Sequence, residues 1–240
     1  MESRGRVRGV LVECPDAGAF AAALASRLGE LIDRALTERG RAVLALAGGR
    51  TPFAAYRLLA AQARDWSRVS LLATDERWVD ADHAHRNEAE MRRAFEAASG
   101  VHFVPLVPAK ADGAPNAEFA EARLVDLDAP FDAVVLGMGG DAHTASLFPG
   151  SPGLDSAIDP SSAGSAFVVT PQPLPPEAPH ARITLGLARL KRSHARILGI
   201  TGDGKRKVWQ SVLDAEPSAD RPIGLFLHDA AAPVAVYWSP

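Results

Sequence analysis

The 240-residue chain holds one cysteine, Cys14, which excludes an intramolecular disulfide and any multi-cysteine zinc site. That usage suits a reducing compartment, and Cys14 itself reads as a small apolar residue of a first strand. No apolar run approaches the ~20 residues that a bilayer span requires. The apolar stretch from Gly9 to Val12 is broken by Glu13 and is too short for a signal-peptide core. Positive charge is not in excess either: the net charge is -3, so bulk attraction to nucleic acid or an anionic membrane is excluded and any basic site must be local. The four tryptophans, Trp66, Trp78, Trp209 and Trp238, lack the basic interleaving of a nucleic-acid stacking surface. What is present is ordinary globular composition, 47% hydrophobic and 23% charged, enough for a sizeable core. These bounds lead us to expect one domain over residues 1–240, cytoplasmic, a monomer or small homo-oligomer with no nucleic-acid or membrane partner.

Short β-rich runs at 10–13, 43–47, 69–74, 102–104, 131–136, 166–169, 195–200 and 234–238 alternate with stretches of helical periodicity at 17–38, 52–63, 87–98, 115–127, 185–191 and 205–213. Strand-helix alternation of this kind predicts a doubly wound α/β fold, a mostly parallel sheet with helices on both faces. Residues 150–164 and 171–179 are rich in Pro, Ser, Gly and Ala and read as long surface loops.

Three predicted strand ends carry unusual turns. After Leu136 the chain runs through Gly137, Gly139 and Gly140 and presents Asp141 and His143. Imidazole titrates near neutrality, so a histidine oriented by a carboxylate can take a proton from water. The spacing also fits a dinucleotide fingerprint formally, but Pro149 and Gly150 follow too soon for the long helix that such a turn opens. After Ala47, the turn Gly48-Gly49-Arg50-Thr51 precedes Pro52, with Thr51 placed as N-cap and Pro52 at the first helical position; free amides there suit a phosphate. After Thr74 come Asp75, Glu76 and Arg77, whose guanidinium fork suits an oxygen-rich substrate. The alternative there is a plain surface ion pair.

Arg182, after the proline-rich loop, and Lys205, after a glycine turn, are further phosphate candidates, though surface cations are commonly just solvated. His83 and His85 form a His-x-His pair without a third ligand at a recognisable spacing, so the metal reading of that polar loop is set below the solvated one. Asn87 reads as the start of the next helix, capping Glu88 onward.

Taken together, 47–52, 75–79 with Asn87, 137–150, 182–184 and 202–205 resemble the 6-phosphogluconolactonase family, within the group that also contains glucosamine-6-phosphate deaminases. The ending Ser146-Leu-Phe-Pro-Gly150 is similar to the lactonase branch. The resemblance implies hydrolysis of 6-phospho-D-glucono-1,5-lactone to 6-phosphogluconate in the oxidative pentose phosphate pathway, with no metal or organic cofactor. It also implies roles: His143 as general base, Asp141 its neighbour in the motif, Arg77 a substrate-side cation, and Gly48, Gly49, Arg50, Thr51, Arg182 and Lys205 the phosphate clamp, with Asp75 beside them in the substrate site. Three positions depart from the pattern. Ala142 stands where glycine is usual, and is strained if the turn needs a positive φ. Ala47 and Arg86 replace serines, which puts individual phosphate or sugar contacts in question. A deaminase or isomerase of the same fold and a non-catalytic sugar-phosphate sensor are the rival readings.

Overall fold

A computed structural model describes residues 10–176 and 178–240. Of the short apolar run Gly9 to Val12, Gly9 lies outside the described residues, and Val10 to Val12 belong to the first strand.

In chain order the strands are β1 (Val10–Glu13), β2 (Ala42–Leu46), β3 (Val69–Ala73), β4 (Asp75–Arg77), β5 (His102–Phe103), β6 (Ala133–Leu136), β7 (Ala166–Val169), β8 (Arg182–Leu185), β9 (Arg196–Thr201) and β10 (Val234–Ser239). The helices are α1 (Ala17–Arg39), α2 (Phe53–Ala60), α3 (Asn87–Ala94), α4 (Glu118–Leu124), α5 (Leu154–Ile158), α6 (Leu187–Lys191), α7 (Asp203–Asp214) and α8 (Pro222–Leu227). Seven strands form one sheet in the order β1-β10-β9-β6-β2-β3-β5, and every neighbouring pair in it is parallel. A second, antiparallel sheet has the order β4-β8-β7.

Parallel strands are buried on both faces, and their alternation assigns each residue to one of two cores. Leu44, Leu46, Leu71, Ala73, Ala133 and Val135 turn to the face covered by α1, α2 and α3, where Phe20, Leu24, Leu28, Tyr56 and Met91 meet them. Ala45, Leu72, Val134, Leu136, Leu198 and Ile200 turn to the opposite face, against Leu124, Leu190, Trp209 and Phe226. The doubly wound expectation holds. Along β2, β3 and β5 the order grows one way, and along β6, β9 and β10 the other, so the switch point lies between β2 and β6.

Several expectations need correction. The run at 166–169 is a strand, but of the antiparallel sheet. β4 and β8 are strands that polar three- and four-residue stretches did not announce. The loop read at 150–164 contains α5, and α8 was not anticipated. Thr51 does not cap α2: the chain is already turning at Pro52, whose φ of -85° and ψ of -13° are helical, and the helix begins at Phe53 with no side-chain cap bond. A residue before proline is disfavoured from the helical region, which keeps Thr51 out of the helix.

One carboxylate ties the two halves of the β2 neighbourhood together. Asp132 is 5% exposed; its Oδ2 accepts the Val43 N–H at 2.7 Å, and its Oδ1 accepts from Arg39 Nε at 3.1 Å and Nη2 at 2.8 Å. Asp132→Ala leaves a partly buried N–H without its acceptor, so denaturant unfolding is expected to show a loss of about 1–2 kcal/mol with an unchanged m value.

Candidate active site

The carboxyl ends of β2, β3, β6 and β9 surround a cavity of about 540 Å³ at the switch point. Gly48, Gly49, Arg50, Thr51, Asp75, Arg77, His143, Arg182 and Lys205 all line it. Asp141 is not on the wall. It stands behind His143, where its Oδ1 meets His143 Nδ1 at 2.6 Å and accepts the His143 backbone N–H at 3.2 Å. The His143 hydrogen bond holds the Asp141 carboxyl below the usual carboxylate range, so Asp141 is the acceptor. The proton therefore sits on Nδ1, which makes Nε2 the basic nitrogen of the neutral ring.

The turn is built around this pair. A Cβ on Gly139 would run into the His143 ring and the Asp141 carboxylate, so only glycine leaves them room. Ala142 adopts φ 63°, the left-handed conformation in which the sequence made alanine strained. Phe148 stacks on the imidazole with centroids 4.1 Å apart at 28°, fixing the ring's tilt. Thr144 Oγ1 donates to the Gly137 carbonyl at 2.8 Å and closes the base of the turn.

A group of cations lines the same cavity. Arg77 of β4 and Arg182 of β8 are direct partners in the antiparallel ladder. Like charges in register repel, and a shared anion relieves that repulsion. Arg77 Nη1 donates to the His85 carbonyl at 2.6 Å and to Asn87 Oδ1 at 2.7 Å, both neutral acceptors. Buried Arg182 donates through Nη2 to the Ala178 carbonyl at 2.8 Å. Lys205 lies in the first turn of α7, and burial pulls its ammonium below the ordinary value.

Asn87 and Ser146 were not singled out as site residues, yet both hold the cavity wall. Asn87 is the first residue of α3 rather than its cap; its Nδ2 donates to the Asp75 carbonyl at 2.8 Å, and a Cβ on Gly48 would collide with its amide. Ser146 Oγ donates to Asp75 Oδ2 and so ties the His143 turn to β4. The signal for both was adjacency to the two motifs, which does not reveal a contact 71 positions apart.

The cap of α3 comes instead from Glu76. This side chain is 1% exposed; Oε1 accepts the N–H groups of Arg77 and Asn87 and Oε2 that of Glu88, each at 2.8 Å. Burial pushes Glu76 up to about 7, while the three amides and Arg86, 3.4 Å away, pull the other way. Arg86, one of the departures, is buried against Glu76 and Glu88 and donates to the carbonyls of Val79, Val107 and Pro108. It is a packing cation, and the serine it replaces is not needed to close α3. Ala47, the other lost serine, is buried, and its carbonyl accepts from Tyr56 Oη at 3.1 Å.

The His83-x-His85 pair gains a third imidazole from the fold. His180 lies beside both, a residue 95 positions from His85. Among the described residues no helix is long and apolar enough to cross a membrane.

A histidine backed by a carboxylate, in one cavity with several cations and at a sheet switch point, is a layout that suits an α/β enzyme for a small anionic ligand. The sequence profile of the family described as glucosamine-6-phosphate isomerases/6-phosphogluconolactonase matches residues 15–238. Among its relatives, a 6-phosphogluconolactonase of Pseudomonas aeruginosa is 38% identical over 220 residues, covering 90% of this chain and 89% of the relative. One of Rhizobium meliloti is 35% identical over 224 residues, covering 92% and 95%. The crystal structure of a 6-phosphogluconolactonase from Shewanella baltica superposes with a TM-score of 0.90 at 33% identity, over 98% of this chain and 100% of that one. The chain belongs to the glucosamine-6-phosphate isomerase/6-phosphogluconolactonase family. A monomeric glucosamine-6-phosphate deaminase, at 22% identity and a TM-score of 0.74, shares the fold.

Glu76 has one neutral analogue of the same shape. Glu76→Gln puts an amide NH2 against backbone N–H donors and removes one of the two carboxylates beside the buried Arg86, leaving Glu88, so unfolding free energy at neutral pH is expected to fall by about 1–3 kcal/mol in chemical denaturation.

Proposed function

We propose that the protein hydrolyses 6-phospho-D-glucono-1,5-lactone to 6-phosphogluconate, with His143 as general base. The observation that carries this reading is the pairing of His143 with an ionised Asp141 at one wall of a cavity whose other walls supply Arg77, Arg182, Lys205 and the Gly48–Thr51 amides. The lactonase names of the relatives over nearly the whole chain support the same substrate.

The chemistry needs little more. A lactone has an electrophilic carbonyl and a tethered leaving group, so no covalent nucleophile is required. Water held at Nε2 attacks C1 while Nε2 takes one of its protons. The C1–O bond order drops, and the negative charge that develops on the carbonyl oxygen is met by Arg77. As the tetrahedral intermediate collapses, the C1–O5 bond breaks and the imidazolium returns its proton to O5. The product carboxylic acid then releases one proton to solvent, which balances the reaction and gives its assay. No step is routed through a metal.

Asp141 orients the ring and stabilises the imidazolium, and Phe148 keeps it from rotating. The phosphate, remote from the reacting carbonyl, is assigned to Lys205, Arg182, Arg50 and the amides of the Gly48–Thr51 turn; its binding orients C1 toward His143. We place the reaction in the cytoplasm, a setting the single cysteine suits, and the enzyme as a monomer or small homo-oligomer.

Proton release from freshly made lactone, read above the spontaneous background, tests the reading. His143→Ala is expected to lower kcat/KM by about 10²–10⁴, with 6-phosphogluconate binding kept within roughly tenfold. Turnover by that variant at the wild-type rate would reject the assigned base, and ammonia release from glucosamine 6-phosphate would reject the lactonase reading. Lys205→Ala is expected to raise KM by roughly 10- to 100-fold, the worth of one charge-assisted hydrogen bond, and to leave kcat within a few-fold.

A further inference from the structure

The triad His83, His85 and His180 lies outside the catalytic cavity, and the lactonase reading uses none of its rings. The three imidazoles form a near-equilateral group: centroids are 5.0 Å apart for His83 and His85, 5.1 Å for His83 and His180, and 5.1 Å for His85 and His180. One ring nitrogen from each residue lies within 4.8 Å of the others. His85 Nδ1 and His180 Nε2 are already 2.8 Å apart and share one proton, and the His85 N–H points into the His83 ring at 3.1 Å from Nδ1. Two chain segments therefore bring one ring nitrogen from each of three histidines within 4.8 Å of one another on residues that are not buried, where an ion can enter.

We propose that His83, His85 and His180 form a binding site for one divalent transition-metal ion of the zinc class. A tetrahedral zinc at ~2.0–2.1 Å from each nitrogen sets the ligand atoms about 3.3 Å apart, a movement of an ångström or so from their present separations. Loading exchanges the hydrogen bond between His85 and His180, and the amide donation to His83 Nδ1, for coordinate bonds; the proton displaced from the donor nitrogen moves to the other nitrogen of the same ring, so all three histidines bind as neutral imidazoles. The fourth position is open to water. Arg182 and Arg77 lie close enough to act on His180 as like charges, which opposes any cation held by charge alone. Affinity must then come from imidazole coordination, which selects zinc, copper, nickel or cobalt over magnesium and calcium.

The site cross-links two loops that border the cavity. His180 belongs to the segment after the proline-rich loop, two residues before Arg182, and the His85 carbonyl accepts from Arg77 Nη1 at 2.6 Å. A bound ion fixes His85 and with it one of the two acceptors that aim Arg77. The role is that of a brace beside the lactone site, and it does not depend on the lactonase reading.

The test is isothermal titration of the full, untagged chain with Zn2+, together with visible absorption on Co2+ addition. One ion per chain with a tetrahedral cobalt spectrum is expected, and no heat with Mg2+. His180→Ala and His83→Ala, both at positions outside the core, should weaken binding by at least about tenfold while far-UV circular dichroism is unchanged. His143→Ala should bind as the wild type does. Absence of zinc binding, or binding that survives His180→Ala and disappears in His143→Ala, overturns the proposal, the latter by moving the metal to the lactone cavity. Since these signals do not read turnover, an inactive enzyme would leave them unchanged and failed titrations would leave the role of His143 unchanged.

Discussion

A carboxylate with 1% exposure survives only where donors surround it, and at Glu76 those donors organise everything on that side of the cavity. Its two oxygens take the first amides of α3 and the amide of Arg77. The helix start is thereby locked to the short strand β4. Asn87, held at that helix start, reaches both Arg77 and the Asp75 carbonyl, and Asp75 receives Ser146 from the His143 turn. The His143 turn and the Arg77 guanidinium are thus positioned by one hydrogen-bonded chain whose root is a buried carboxyl group. Arg86 belongs to that root, which is why a long cation is accommodated where the family pattern has serine.

The opposite requirement governs the cations. Arg77 and Arg182 sit in register on neighbouring strands, a repulsive arrangement that a folded protein tolerates when an anion is meant to join it. Arg77 is held by a backbone carbonyl and an amide oxygen, neither of which neutralises it. Its charge is therefore left unneutralised by either acceptor. Glu76 is held away from that charge by giving its own oxygens to backbone amides. Electrostatics in this site is a matter of which acceptors are neutral.

The parallel sheet was legible in the sequence because strands buried on both faces leave continuous apolar runs, and β2, β3, β6 and β9 are such runs. Their turns were legible for a related reason: polar and glycine residues at a strand's carboxyl end stand out against an apolar background. β4 and β8 were not, since Asp75-Glu76-Arg77 has no apolar residue to detect, the alternation in Arg182-Ile-Thr-Leu185 spans only four residues, and both are held in a small antiparallel sheet by distant partners, β8 lying between β4 and β7. Thr51 misled as a cap because the proline after it starts the turn one residue later than the capping pattern assumes. The third histidine was invisible for the plainest reason, a separation of 95 residues that only the fold removes.

Ala142 shows how a departure from the family pattern can persist at the most constrained point of the turn. Holding alanine at φ 63° costs roughly 1–2 kcal/mol relative to the right-handed region. Glycine would avoid that cost but would give up roughly 0.5–1 kcal/mol to the freedom it has in the unfolded chain. It would also give up a methyl group that is 3% exposed and packed in the core with Met138 and Leu147, a burial worth about 0.8 kcal/mol. The opposing terms cancel to within about 1 kcal/mol. Folding therefore exerts almost no preference between the two residues, and the geometry of the His143–Asp141 pair rests on Gly139, where any Cβ would collide with both side chains.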